Sequence, residues 1–510
     1  MSSFQSPLIV SHQKGLKNIT FKGCKMNKLY QTISGTFLLK VMGLGIAFLF
    51  QIILGRTLEP AFYGQYTMFI TYINILTIIP VFGMDSNLIK EVARVSEDKS
   101  KSSSLLTFSV KISLAIYAGI SVLLVLFHNI LNISLSDMGL FLFMLLLSVL
   151  ILLLDGFLQG LGLVVKVTVL NIFLNNLMKI IFFLVFMRLG VYGLHSALYS
   201  FIVSESITVA FRLKMINGRI GGHLRLKEGI PKHEQSKFLK YSITVALISG
   251  MSLLIQSVDK IMISRFLDYS SVGVYKVSQN YVSLIGVFIA PFVAFWPQIS
   301  KLYHENKISE IEFEMKRIIK IVSYLAIPMF FLFLSINENL LLVFGEMYVT
   351  NESKIVLIIL SFAYLVDAIS GPIGSILTMT NYAKYILVNT IISLTVNVIL
   401  NYILIMRFGI IGVAMGTGIS IILNNLLSIV EVKLLLNIFS YDYTNVLQIG
   451  FFSLMNYFLT KYLSSAIKID NNILFIIIFG LTLYAVNLVF IGFIQRKKLL
   501  VLVNRKREKI

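Results

Sequence analysis

Long apolar runs, separated by short polar connections, recur along the whole chain. Each run has about 20 residues, which as a helix crosses a hydrocarbon core of about 30 Å, whereas a membrane barrel would have short segments of alternating polarity. Fourteen spans are predicted, at approximately 33–54, 64–84, 104–127, 138–160, 167–187, 192–212, 239–263, 272–297, 321–344, 355–379, 386–406, 411–432, 446–464 and 472–494. The pattern therefore predicts an all-α polytopic membrane protein with about 14 transmembrane helices.

A phrase that follows the first span returns in the second half of the chain. Four residues keep their identity and register at an offset of 209 positions: Arg56, Leu58, Gly64 and Tyr66 correspond to Arg265, Leu267, Gly273 and Tyr275. Segments 188–193 and 407–412 likewise share an Arg-x-Gly-x-x-Gly pattern at an offset of 219. Such repeats are typical of transporters in which one half rocks against the other around a central site.

The repeat predicts how the chain is divided. We expect a basic N-terminal tail at 1–32, two pseudo-symmetric six-helix lobes at 33–212 and 239–432, and an inter-lobe linker at 213–238. An extra C-terminal helix pair with a basic tail is expected at 433–510. The longest connections, near 213–238 and 298–320, are too short for a folded soluble domain.

Composition supports a membrane protein and argues against several other classes. The chain is 57% hydrophobic and only 13% charged, whereas soluble proteins average about 25% charged residues. The single cysteine, Cys24, excludes an internal disulfide, and the six histidines have no metal-binding spacing. We therefore expect no metal and no cofactor.

The basic residues alternate along the chain as a topology signal does. If both termini are cytoplasmic, inner segments hold 31 of the 44 Lys and Arg residues, outer loops hold six, and seven lie within spans. This bias predicts a multi-pass protein of the cytoplasmic membrane with both termini cytoplasmic. It also explains the net charge of +20 without a nucleic-acid partner.

The N-terminal tail is basic but has no long apolar core, so it is not a secretory signal peptide. Two interpretations stay open. The tail is a solvated segment held near anionic lipid head groups, or it is an upstream extension of a chain whose translation starts at Met26.

Two polar stripes lie on predicted helices that correspond in the repeat. Residues spaced four apart on one face of each helix are Asn171, Asn175 and Lys179 in the fifth, and Asn389, Ser393, Asn397 and Asn401 in the eleventh. An offset of 218 superimposes the first stripe on the second. The lysine, too deep to reach the interface easily, favours opposite walls of a polar substrate cavity, and interhelical hydrogen bonding is the alternative.

Other charges inside spans are further candidates. Lys40 and Lys111, in the first and third spans, are candidates for binding an anionic group, although Lys40 could instead extend to the cytoplasmic interface. Lys260 and Lys276 lie near the outer ends of their spans and are expected to be interface residues.

Acidic residues are candidates for coupling transport to an ion. Asp367 lies in mid-span and Asp155 and Glu205 lie in inner halves of spans, where a carboxylate could bind a proton or sodium ion. Pairing with a nearby lysine is the alternative. Asp259, beside Lys260, is expected to have a gating or structural role.

Six residues in or near the repeated phrase are expected to be architectural or gating: Arg56, Gly64, Arg265, Gly273, Pro291 and Pro297. The arginines suit capping of helix C-termini and contact with head-group phosphates. The glycines suit close helix contact or a tight turn, and the prolines permit a kink in the eighth span.

Three short motifs, in this order and spacing, carry a family resemblance. They are Gly55-Arg56-x-Leu58 with Tyr63-Gly64-x-Tyr66; Gln256-x-x-Asp259-x-Ile261-x-Ile263 leading into Val272-Gly273-x-Tyr275; and Pro291 with Pro297-x-Ile299-Ser300-Lys301. Over spans 1 to 12 the chain resembles the oligosaccharide flippases of the multidrug/oligosaccharidyl-lipid/polysaccharide exporter superfamily. The resemblance implies two six-helix lobes around a central cavity and alternating-access movement of a polyprenyl-(pyro)phosphate-linked oligosaccharide.

Other function classes are weighed against the flippase. An ion-coupled multidrug or cation antiporter of the same superfamily is the alternative, but it would favour acidic groups in the cavity, and here the deep charges are mostly cationic. A membrane glycosyltransferase or polysaccharide polymerase would have a larger outer loop with paired carboxylates, so we do not expect an enzyme. Expected partners are the lipid-linked oligosaccharide and membrane lipids, with H⁺ or Na⁺ and polymerase or glycosyltransferase machinery as further candidates.

Overall fold

The computed structural model describes residues 42–95, 97–220, 231–289, 292, 296–380, 382–438 and 443–466, together with 482, 484–486, 488 and 489. All regular elements in these ranges are helices, which confirms the predicted all-α class. The predicted N-terminal tail, Lys40, Pro291 and most of the fourteenth predicted span lie outside the described residues.

Helices α1–α9 form what we call the first half. They are α1 Met42–Thr57, α2 Pro60–Val81, α3 Met84–Arg94, α4 Lys99–Leu126, α5 His128–Leu131, α6 Leu135–Gly160, α7 Val164–Thr168, α8 Asn175–Arg188 and α9 Leu194–Ile220. A π-helical turn at Val169–Leu174 joins α7 to α8. Pro80 and the left-handed residues Phe82 and Gly83 separate α2 from α3, which are bent by 49°.

Helices α10–α17 form the second half, and α18 follows it. They are α10 Lys232–Phe266, α11 Tyr269–Gly286, α12 Trp296–His304, α13 Ile308–Ser335, α14 Asn337–Phe344, α15 Asn351–Ser370, α16 Ile373–Met379, α17 Ala383–Leu436 and α18 Tyr443–Ala466. Gly409 has non-helical dihedral angles inside α17 (φ 55°, ψ −135°), so α17 comprises two helices. They correspond to the predicted eleventh and twelfth spans.

By length and composition, seven helices in the described ranges can cross a membrane, or eight if α2 and α3 form one bent span. One of the seven is the 54-residue α17, which contains two predicted spans. The predicted total of fourteen stays a prediction.

Two predicted connections contain more helix than expected. Helix α9 continues to Ile220 and α10 begins at Lys232, so both extend into the segment predicted as the 213–238 linker. Segment 298–320 holds most of α12 and the first turns of α13. Hydropathy locates the part of a helix that lies in hydrocarbon, and a helix can continue beyond it as an amphipathic segment.

The two repeated glycines meet where α2 of the first half crosses α11 of the second. A methyl group on Gly64 would overlap the carbonyl oxygen of Tyr269, and one on Gly273 would overlap the carbonyl oxygen of Pro60. Both glycines and both carbonyls are related by the repeat offset of 209, so the crossing is itself nearly two-fold symmetric. Only residues without a side chain allow the backbones to approach this closely.

The halves also touch on both sides of this crossing. At the predicted outer side, Arg56 donates from Nε to the Val343 carbonyl at 2.8 Å and from Nη2 to the Leu342 carbonyl at 3.2 Å, and so caps the C-terminus of α14. At the predicted inner side, Asn87 of α3 donates to the Phe238 carbonyl of α10 at 2.8 Å. These contacts enclose a central space between the halves.

Candidate functional site

A cavity of about 390 Å³ lies between the two halves, at the centre of the protein. Its walls come from α1, α2, α8 and α9 on one side and from α10, α11 and α15 on the other. The polar and aromatic residues that line it are Phe50, Gln51, Tyr66, Thr67, Thr71, Asn74, Asn176, Lys179, Phe201, Gln256, Ser257, Lys260, Lys276, Gln279, Ser283 and Tyr364. Amides, hydroxyls and aromatic rings of this kind are suited to binding a polar organic group.

Three lysines line the cavity, and within the described chain no carboxylate lines it. Lys179 comes from the first half, and Lys260 and Lys276 come from the second. The expectation that Lys260 and Lys276 are outer interface residues is therefore wrong. Each lies about 10 Å from the nearer end of its helix at 1.5 Å per residue, but the helix face and not the depth decides what a side chain meets.

Lys276 differs from the other two lysines because it has no hydrogen bond or ion pair with any residue that the structure describes. Lys260 donates to the Gln256 carbonyl at 2.5 Å and lies 3.5 Å from Gln279 Oε1. Lys179 donates to Glu205 Oε1 at 2.9 Å and lies 4.3 Å from the centre of the Phe201 ring. Lys260 and Lys276 of the second half are therefore the less compensated cations, because neither has the carboxylate partner that Lys179 has in Glu205.

Behind Lys179, the fifth-span stripe bonds to acidic residues of neighbouring helices. Asn175 donates to Glu205 at 2.9 Å, and Asn171 donates to Asp155 at 2.6 Å. Of this stripe, only Lys179 lines the cavity. These contacts are interhelical hydrogen bonds, the alternative considered for the stripe, and a part in substrate binding stays a prediction for the two asparagines.

A fully buried arginine completes the network of the first half. Arg212 of α9 forms an ion pair with Asp155 of α6 (Nε–Oδ1 2.6 Å) and also donates to the side-chain oxygen of Asn171. Arg212 is the last residue of the predicted sixth span, and its charge counts among the inner basic residues of the topology signal. A signal was available: Glu205 and Arg212 are seven residues apart and so share one helix face.

In the second half, Asp259 is the centre of a hydrogen-bond network. Its carboxylate accepts hydrogen bonds from Tyr275 at 2.8 Å, Asn401 at 3.0 Å and Thr417 at 2.7 Å. Asn397 also donates to Thr417 at 3.2 Å. These bonds join α10, α11 and both parts of α17, so Asp259 has the contacts of a structural residue, while a gating role stays a prediction.

The remaining residues of the eleventh-span stripe also contact the second half itself. Asn389 donates to Glu431 at 2.7 Å, and Ser393 is buried without a hydrogen bond to any described residue. The Asn389–Glu431 pair corresponds in the repeat to the Asn171–Arg212 pair, because Asn389 lies 218 positions after Asn171 and Glu431 lies 219 positions after Arg212. The asparagine is the same in both halves, but the basic residue of the first half is an acidic residue in the second.

Three other predicted site residues lie away from the cavity lining. Asp367 of α15 accepts a hydrogen bond from the amide of Asn425 at 2.9 Å, whereas the alternative to ion coupling was a lysine partner. Lys111 is exposed on α4. Pro297 lies in the first turn of α12 and not inside the helix of the eighth span, because α11 ends at Gly286; a first turn tolerates proline because its N–H would have no partner there.

No group of three or more His, Cys, Asp or Glu side chains suited to a metal ion occurs in the described part of the chain. The acidic residues of the spans are used instead in pairs with amides, a lysine and an arginine.

The fold and the cavity define a polytopic helical membrane protein with two related halves around a basic central space. The chain belongs to the polysaccharide biosynthesis protein family, whose model matches residues 29–303. A second model, MatE, matches residues 243–403.

Similar proteins include a curated relative and two solved structures. A probable low-salt glycan biosynthesis flippase of Haloferax volcanii, Agl15, is 30% identical over 234 residues, and the match covers 45% of this chain and 47% of that protein. The chain thus spans about half the length of this relative. The lipid II flippase MurJ in an inward closed conformation matches with a TM-score of 0.70 at 18% identity, over 91% of this chain and 99% of that chain.

An inward-facing multidrug resistance MATE family transporter of the MOP superfamily matches with a TM-score of 0.65 at 16% identity, over 78% of this chain and 94% of that chain. At these identities the two structures establish the shared fold and nothing beyond it.

Proposed function

We propose that this protein is a flippase, not an enzyme, that moves a polyprenyl-(pyro)phosphate-linked oligosaccharide across the cytoplasmic membrane by alternating access, for the synthesis of cell-surface polysaccharide or glycan. The observation that carries the proposal is the central cavity, which is lined by Lys179, Lys260 and Lys276 and, in the described chain, by no carboxylate. Family membership and the flippase relative support it.

The chemistry of such a substrate matches the lining. A phosphate charge enters hydrocarbon only at a cost of several kcal/mol unless cationic groups compensate it. Lys276 and Lys260 of the second half are proposed to bind the phosphate, because they are the less compensated cations. Gln51, Asn74, Gln279 and the aromatic rings then face the sugar, while the lipid tail stays in the membrane.

Topology and partners form part of the same proposal. The positive-inside bias supports cytoplasmic termini and delivery of the substrate from the cytoplasmic side, and the internal repeat supports lobes at 33–212 and 239–432. A proton or sodium ion is a candidate driving ion, and glycan-polymerising or glycosyltransferase machinery is the candidate consumer of the product.

The alternative is an ion-coupled multidrug or cation antiporter, which the MatE match over 243–403 favours. An organic cation requires acidic groups in the cavity. The deep carboxylates Asp155, Asp259 and Asp367 accept hydrogen bonds from protein partners and do not line the cavity. We therefore rank the flippase first.

The test measures lipid-linked sugar on the cytoplasmic face of cells that lack this protein and are complemented with variants. We expect accumulation in the deletion strain, clearance by wild type, and failure of Lys276→Gln to clear it. Lys214→Gln, which removes the same charge from an exposed site on α9, is the matched control and should clear it. Increased sensitivity to cationic dyes without accumulation of lipid-linked sugar would replace the flippase with the antiporter.

A further inference from the structure

A second and larger cavity, of about 590 Å³, lies away from the central one, where α3 and α4 of the first half meet the start of α10 in the second. The lining includes Asn87, Lys90, Glu91, Arg94, Ser100, Lys101, Ser104, Pro231, Glu234, Lys237, Phe238 and Tyr241. By the predicted topology this region lies at the inner surface of the membrane.

The floor of this cavity is a tight joint between the halves. Asn87 donates to the Phe238 carbonyl at 2.8 Å and to Ser242 Oγ at 3.0 Å, and it is almost completely buried. The Phe238 ring also packs edge-on against Phe108 of α4, with centroids 6.0 Å apart. The cavity walls are therefore held in place by the fold on three helices.

The charges of the lining are mostly positive. Arg94 pairs with Glu91 at 3.0 Å, but Lys101 and Lys237 form no ion pair with any residue in the described ranges. Lys90 lies over the Tyr241 ring, 3.9 Å from its centre. Four cations against two carboxylates leave an excess of two positive charges.

The start of α4 forms one wall of the cavity. α4 is a 28-residue helix, and Ser100, Lys101 and Ser104 of its first turns line the cavity. The carboxylate of Asp98 caps this helix by accepting a hydrogen bond from the Lys101 backbone N–H at 3.0 Å, so the positive charge at this end of the cavity comes from the lysine side chain and not from the helix start. Lys101 from the first half and Lys237 from the second both line this cavity, and both are exposed to solvent.

We propose that this inner cavity is a phosphate-binding site, separate from the central one, that is occupied by the phosphate of an anionic lipid head group or of a soluble anion. A phosphate there accepts hydrogen bonds from Lys101 and Lys237 at once. It therefore links the two halves at the joint that rocking must open, and its binding favours the arrangement in which α3 and α10 touch.

The test uses the full-length protein in neutral detergent and measures the binding of phosphatidylglycerol, phosphatidylcholine and inorganic phosphate by native mass spectrometry. The double variant Lys101→Gln/Lys237→Gln removes one cavity lysine from each half. Lys214→Gln/Lys240→Gln removes the same charge from exposed positions outside the lining, and is the matched control. Unfolding midpoints in phosphatidylcholine verify that both variants are folded.

We expect phosphatidylglycerol to bind more tightly than phosphatidylcholine, and the cavity variant to raise its Kd about tenfold. The control should change the Kd by less than about twofold. Competition by inorganic phosphate would assign the site to soluble anions as well, and lack of competition would assign it to a lipid head group. Equal effects of the two double variants, or equal binding of the two lipids and no binding of inorganic phosphate, would overturn the proposal.

Discussion

The buried Asp155–Arg212 pair allows a structural role to be separated from ion coupling. Arg212 has 0% and Asp155 has 5% of its surface exposed, and their ion pair measures 2.6 Å. Replacing Arg212 with Met leaves the carboxylate with Asn171 as its one other hydrogen-bond partner in the described chain. Removing one member of a buried pair costs about 3–5 kcal/mol, because the remaining charge is uncompensated.

The double variant Asp155→Leu/Arg212→Met removes both charges. Apolar replacement of a complete buried pair is about neutral, or stabilising by about 1–4 kcal/mol. We therefore expect each single variant to be much less stable than the double variant, with a coupling energy of at least about 3 kcal/mol. Unfolding in mixed micelles with increasing sodium dodecyl sulfate, followed by circular dichroism, gives the four free energies of the cycle.

A matched control is the partly exposed pair Glu312–Lys316 of α13, at 2.5 Å, for which Glu312→Leu/Lys316→Met should give less than about 1 kcal/mol of coupling. A cost below about 1 kcal/mol for Arg212→Met would refute the structural account. Transport by the double variant then separates the roles. A stable protein that still moves substrate excludes Asp155 as the coupling site, and a stable protein that does not supports it.

Three further predictions concern the crossing, the outer contact and the cavity. Gly273→Ala places a methyl group against backbone of α2 and should cost about 1–3 kcal/mol in unfolding measurements, whereas Gly119→Ala, with nothing within 4 Å, should be neutral or stabilising. Arg56→Gln removes the cap that joins the halves at the outer side. In a protein that also carries Cys24→Ser, a cysteine introduced at Ser283 in the cavity should then react faster with a thiol reagent added from outside. Unchanged labelling would contradict this. Glu205→Gln leaves Lys179 without its counter-charge and should lower stability by about 1–3 kcal/mol, measured as in the cycle above.

The helices and the two glycines of the α2–α11 crossing could be predicted from sequence for a physical reason, whereas the pairing of these two helices could not. Apolar length reports the crossing of hydrocarbon directly, and the repeated Gly64 and Gly273 mark positions where side chains are excluded. These are local or periodic signals, so one sequence is enough to detect them.

The cavity could be predicted only in part. Lys179 could be predicted as a cavity residue because a lysine at its depth in a span is unusual. Lys276 could not, because its depth does not show which face of α11 lines the cavity. Arg212 was missed because a charge at the end of an apolar run looks like a loop residue unless its partner, Asp155 on another helix, is known. Pairing between helices distant in sequence requires the fold.

The crossing of α2 and α11 also constrains how the protein is made. Gly273 is synthesised 209 residues after Gly64, which at about 5–20 residues per second is a delay of roughly 10–40 s. During that time the first half is already inserted, and the face of α2 that will receive α11 has lipid or an insertion factor as its neighbour. During biogenesis, α11 must therefore displace that temporary neighbour from α2 before the two halves can begin to move against each other.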